Sequence, residues 1–120
     1  MTDYPVAMKV TADYQASGPE STTFPKGTML TLHDESDEYP GWIWCDVGQG
    51  LSVWVPERLI EKTEIVGHGR LTEDYKATEL SVRTGQSVTA LHGEAGWLWC
   101  RAEHGSEGWL PADHCEPVGM

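Results

Sequence analysis

Aromatic rings and carboxylates carry most of the chemistry that this chain could perform. Two strings, Gly41-Trp42-Ile43-Trp44-Cys45 and Gly96-Trp97-Leu98-Trp99-Cys100, each set two indoles two residues apart. Residues i and i+2 of a strand share a face. Trp42 and Trp44 then point one way, and Ile43 and Cys45 the other. Four carboxylates, Asp34, Glu35, Asp37 and Glu38, stand just before Trp42. Exposed large aromatics usually mark an interface, so this pattern suits recognition rather than bond-making. The five histidines suggest a metal only weakly. His104, His114 and Cys115 lack a compact ligand spacing, and a structural zinc normally takes four ligands. No Cys-His or Ser-His-Asp order and no phosphate loop stands out, so neither an enzyme nor a cofactor is expected.

The charge balance narrows the partners. Nineteen acidic against eight basic residues give a net charge of −11. Nucleic acid wants a basic stripe, and an anionic membrane surface repels such a chain. A basic peptide is compatible with it, although acidity also serves solubility. No apolar run reaches membrane length. No signal peptide precedes the first repeat, so a cytoplasmic location is the expectation. Cys45 and Cys100 occupy the same slot of the two strings, where a small buried hydrophobe is the simplest reading. A disulfide or a metal site is the alternative. Thirteen Gly and seven Pro punctuate segments rich in Val, Ile, Thr and Trp, which reads as all-β.

The elements that must position these rings occur twice. Trp54-Val55-Pro56 lies 55 residues before Trp109-Leu110-Pro111, the same offset as the Trp strings. Asp13-Tyr14 and Asp74-Tyr75 are 61 apart, because two loops of the first copy are each three residues longer. Loops on a fixed scaffold tolerate such insertions. Each copy reads as five short strands joined by turns, which suits a small barrel. The copies divide as residues 1–64 and 65–120, with the boundary near 62–69. The joint 61–70 holds Ile65 and Val66 and is not Gly/Ser-rich. It is expected to run as a strand out of the first copy and then turn at Gly67–Gly69 into the second, fixing their relation.

This order of elements resembles a tandem pair of SH3 (Src-homology-3) domains, of the divergent bacterial variant type. The family's ALYDY motif aligns with Val10-Thr11-Ala12-Asp13-Tyr14 and with Leu71-Thr72-Glu73-Asp74-Tyr75. Its loop end resembles Ser21–Gly27 and Glu79–Gly85. Its Trp pair resembles Trp42-Ile43 and Trp97-Leu98, and its last segment resembles residues 54–59 and 109–114. The resemblance implies two small five-stranded barrels that bind extended, Pro-rich peptides on an aromatic shelf. It places Tyr14, Trp42, Trp54 and Pro56 on one shelf and Tyr75, Trp97, Trp109 and Pro111 on the other. It also implies acidic partners for a ligand Arg or Lys: Glu20, Asp37 and Glu38 in the first copy, Glu79 in the second. Residues 1–64 carry 11 acidic against 4 basic residues, and residues 65–120 carry 8 against 4. The first copy is thus the expected site for a basic ligand, with Trp42 as its anchor. Two aromatic positions of the shelf depart from the family in each copy: Ala12 and Leu59, Glu73 and His114. Trp44 and Trp99 either seal one copy against the other or extend the shelf. The alternative to a peptide-binding module is an assembly module, including a homodimer, that uses these Trp surfaces for itself.

Overall fold

The computed structural model describes residues 4–16 and 23–119. Its strands are β1 (Val6–Val10), β2 (Thr23–Phe24), β3 (Met29–Glu35), β4 (Trp42–Gly48), β5 (Leu51–Pro56) and β6 (Ile60–Lys62). They continue as β7 (His68–Leu71), β8 (Tyr75–Lys76), β9 (Ser87–Glu94), β10 (Trp97–Ala102), β11 (Glu107–Pro111) and β12 (Cys115–Pro117). Two three-residue 3-10 turns, Glu57–Leu59 and Ala112–His114, follow the two Trp-x-Pro segments. Proline's fixed φ directs the chain into each turn, with Pro56 and Pro111 both at φ −61°. Among the described residues the chain is all-β apart from these turns.

The strands form two five-stranded antiparallel sheets, ordered β11-β10-β9-β1-β12 and β5-β4-β3-β7-β6. Strands β2 and β8 pair separately. The ladders leave outer strands β11 and β12 in one sheet and β5 and β6 in the other, so the expected closed barrels are open sheets.

Each sheet draws one strand from the opposite repeat. Strand β1, of the first repeat, lies between β9 and β12 of the second. Strand β7, of the second repeat, lies between β3 and β6 of the first. The compact units are therefore Met1–Glu20 with Thr78–Met120 (unit 1) and Ser21–Ala77 (unit 2). This corrects the expected division at 64/65. The physical reason is that the two first strands are near-equivalent in sequence, so the repeat alone does not say which sheet receives which. The joint is corrected too. Residues 60–71 form a hairpin inside unit 2, with Ile60 opposite Leu71 and Lys62 opposite Gly69. Gly67 supplies the positive φ of its turn, whereas Gly69 is a buried strand residue.

Strand alternation fills the cores. In unit 1, Met8, Val10, Val88, Ala90, Leu98, Cys100 and Leu110 are buried, and Leu80 and Val82 join them from the arm before β9. In unit 2, Leu30, Cys45, Val53, Val55, Leu59 and Leu71 are buried. Cys45 and Cys100 are fully enclosed, as small hydrophobes would be, and both are free thiols.

Candidate functional site

Unit 1 brings Tyr14, Glu79, Trp97, Trp109 and Pro111 together. The arm that carries Tyr14 is held along its length. Gly85 N donates to Val10 O at 2.9 Å, and Thr11 N donates to His114 O at 2.7 Å. Tyr14 and Val82 exchange two backbone hydrogen bonds at 2.9 and 2.8 Å. Between them, Asp13 accepts from the Thr84 amide at 2.7 Å and from its hydroxyl at 2.9 Å. Those two bonds, to the amide first and the hydroxyl second, hold the Asp13 carboxyl below its usual range.

The Tyr14 ring stands edge-on to two others. Its centroid is 5.6 Å from that of Trp97 at 82°, and 5.7 Å from that of His114 at 84°. Both geometries are favourable for aromatic pairs. Tyr14, Trp97 and His114 are each only partly buried, whereas Pro111, opposite Trp97 in the ladder, is fully buried. The Tyr14 hydroxyl donates to Glu79 Oε1. Backbone pairing fixes Glu79 in turn. Trp109 N donates to Thr78 O at 2.9 Å, and Leu80 N donates to Trp109 O at 3.1 Å. Gly108 permits this approach: a Cβ there would lie 2.9 Å from Glu79 C and Leu80 N. A second carboxylate, Asp113, lies 3.7 Å from His114 Nε2. The result is a half-open ridge of three rings with carboxylates beside it.

Unit 2 holds the corresponding residues in a more closed state. Trp42 lies opposite Pro56, and Tyr75 donates its hydroxyl to Trp54 O at 2.7 Å. Trp42 is 3% exposed and Tyr75 4% exposed. The expected ring sets are corrected accordingly. Tyr14 belongs with Trp97 rather than Trp42, and Tyr75 with Trp54 rather than Trp97. Trp42, expected as an anchor, is a buried ring. Asp37 and Glu38 are exposed. Glu35 of the same loop accepts from Gly41 N at 3.0 Å, and Ser36 N donates to Trp42 O at 2.8 Å, which closes the loop on itself. Glu20 lies outside the described residues.

The second indole of each string pairs across strands. Trp44 faces Trp54 with centroids 5.0 Å apart, and Trp99 faces Trp109 at 5.2 Å. Trp99 is buried, donates to Glu107 at 3.0 Å, and lies under His92. It is a packing residue of unit 1 and does not extend an open shelf. Trp44 is partly buried. The Trp string is doubled because each sheet uses one indole beside its proline and the next as half of a cross-strand pair.

The shelf residue that sequence reasoning left out is His114. It stands where the family's last aromatic would be, and that alignment was the available signal. One known family matches part of the chain. Residues 68–118 match the variant SH3 domain family. A domain of this family is a protein-interaction module and is generally non-enzymatic. The matched stretch runs from β7 and β8 in unit 2 into the body of unit 1. No curated protein matches the chain.

Proposed function

We propose that this protein is a non-enzymatic module with two SH3-type repeats that binds an extended, Pro-containing peptide bearing a basic residue. The binding surface is the Tyr14–Trp97–His114 shelf of unit 1, and Glu79 receives the basic residue. The observation that carries this reading is the half-open pair of edge-on contacts at Tyr14, with a carboxylate on its hydroxyl. Proline rings settle between flat rings, and a pre-extended peptide loses little entropy on docking. The −11 charge favours a basic partner over nucleic acid or an anionic membrane. A cytoplasmic, bacterial setting accords with the sequence pattern.

Titration of Pro-rich, Arg-containing peptides against variants tests the proposal. A desolvated Trp anchor is worth about 2 kcal/mol or more, so Trp97→Ala should remove measurable binding while the conservative Trp42→Phe leaves it. An exposed charge pair contributes about 0–1 kcal/mol, so Glu79→Gln should weaken binding severalfold at most and flatten its salt dependence. Binding that survives Trp97→Ala would place the ligand elsewhere.

A further inference from the structure

The outer faces of the two Trp strings carry the same indole pair in two different states. At the common offset of 55 residues, Trp44, Asp46, Ser52 and Trp54 of unit 2 correspond to Trp99, Arg101, Glu107 and Trp109 of unit 1. Both indole pairs are cross-strand neighbours, with centroids at 5.0 and 5.2 Å. In unit 1 the chain supplies its own occupant for the pair. The His92 imidazole lies nearly parallel to Trp99, at 15° and 6.3 Å, and edge-on to Trp109 at 5.5 Å. Trp99 Nε1 donates to Glu107 at 3.0 Å, and Arg101 pairs with the same carboxylate at 3.0 Å. Both indoles are buried, and the charges of Arg101 and Glu107 offset each other.

Unit 2 leaves the equivalent pair open. Where β9 places His92 opposite Trp99, β3 bulges. Its ladder passes from Leu32–Cys45 to Glu35–Ile43, so His33 and Asp34 together stand against the single residue Trp44. His33 turns to Asp46 instead, with Nε2 2.9 Å from Oδ2. Among the described residues no third ring lies against Trp44 or Trp54, and both indoles are half-buried. The flank is also anionic here. Asp46 stands in place of Arg101, on the same face of β4 as Trp44, and the neutral Ser52 stands in place of Glu107. Bonds from the Ser52 hydroxyl and then from His33 hold the Asp46 carboxyl below its usual range. Its two oxygens accept one such bond each and keep lone pairs for further donors. The Asp46 side chain is 48% exposed.

From this contrast we propose that Trp44, Trp54 and Asp46 form a second binding site, which takes an arginine side chain of a protein partner. The planar guanidinium lies on the indoles as His92 does in unit 1, attracted by the negative faces of the rings, and donates N–H groups to Asp46. A lysine ammonium meets the same charge without the planar stack. The site is built wholly from unit 2 and does not rest on the unit 1 shelf.

NMR of the full chain, read at the indole N–H signals, tests the proposal. The probe is N-acetyl-arginine methylamide, added in large excess because one side chain binds weakly. Saturable shifts of the Trp44 and Trp54 indoles, with Trp99 and Trp109 unmoved, support the site. The lysine derivative should bind severalfold more weakly, and the citrulline derivative, a neutral isostere of the arginine one, should give no saturable shift. Asp46→Asn preserves the shape of the site and should weaken arginine binding severalfold, while backbone signals away from the site confirm its fold. An equal response to arginine and citrulline, an undiminished response in Asp46→Asn, or no saturable shift of the two indoles overturns the proposal. Trp97→Ala separates this site from the shelf. The Trp44 and Trp54 response should persist in that variant, and its loss there would assign the arginine to the shelf and overturn the second site.

Discussion

Tyr14 organises the shelf by its edges and its hydroxyl, and so depends on residues far from it in sequence. Trp97, His114 and Glu79 all come from the other repeat, and the sheet that carries them admits the Tyr14 arm. The cysteines show the opposite situation, in which local alternation is enough. Burial pushes the Cys45 thiol up to about 12, with the Asp46 charge adding to the effect. Burial likewise pushes Cys100 up to about 12, with Cys115 adding to it. The thiolate is the reactive form, so neither residue should react with iodoacetamide at pH 8 in the folded protein. Both should react once the chain is unfolded in guanidinium. Mass spectrometry of labelled peptides checks this, and rapid native labelling of Cys45 or Cys100 would contradict their enclosure. The enclosure of Cys45 and Cys100 was legible in the sequence from strand alternation. The burial of Trp42 was not, because it depends on how a loop and a distant strand close over the ring.

At the scale of elements, close backbone approach and loop bonds do the positioning. Gly108 lets the 78–80 segment lie against β11, where an added Cβ would meet backbone at 2.9 Å. Overpacking of this kind costs about 1–3 kcal/mol. Gly108→Ala should therefore lower the thermal midpoint and loosen Glu79 as well, weakening peptide binding along with stability. Paired melting and titration curves would show both effects. Two carboxylates, one exposed and one half-buried, also tie elements together. Asp13 bonds Thr84, and Asp46 bonds Ser52 and His33. Both carboxyl groups are held below the usual value of 3.8, Asp13 mainly by the Thr84 amide and Asp46 mainly by the Ser52 hydroxyl. A folded-state value below the unfolded one adds stability that is present above the unfolded value. That stability disappears as pH falls through the folded value. Denaturant midpoints should thus hold steady above the carboxylate range and fall as pH drops below 3.8. Asp13→Asn should show a smaller fall. The Trp-x-Pro segments and the tight turns were readable from alternation and from Gly and Pro, whereas five strands per copy missed the separate pairing of β2 with β8. The hairpin across residues 60–71 was misread as a joint, because a strand–turn–strand between two repeats looks the same whether it links two domains or belongs to one.

For the molecule as a whole, the order of strands along the chain changes what counts as a domain. Unit 2 is one continuous stretch, Ser21–Ala77, in which the ALYDY-like strand comes last instead of first. Unit 1 is interrupted by it and resumes at Thr78. The sequence repeat made the doubling visible, but two arms of equivalent pattern left their destinations open, and pairing across the chain decided them. The family match at 68–118 follows the repeat and so straddles both units. A continuous unit whose strands pair among themselves needs nothing from the rest of the chain to form its ladders. Its buried residues include Leu30, Val55, Leu59 and Leu71, which lie on β3, β5, β7 and the 3-10 turn of this one segment. Domains of about this size can fold alone, although with a small margin. A fragment of residues 21–77 should therefore fold by itself and melt cooperatively, with the amide pattern of the same segment in the full chain. Cutting at 64/65 instead separates β6 from β7, and a 1–64 fragment lacks the strand that fills its sheet unless its own β1 arm takes that place. Heteronuclear NMR of both fragments distinguishes these cases. A disordered 21–77 fragment beside a folded 1–64 fragment would show that each repeat keeps its own arm, and that the crossed pairing is not the ground state.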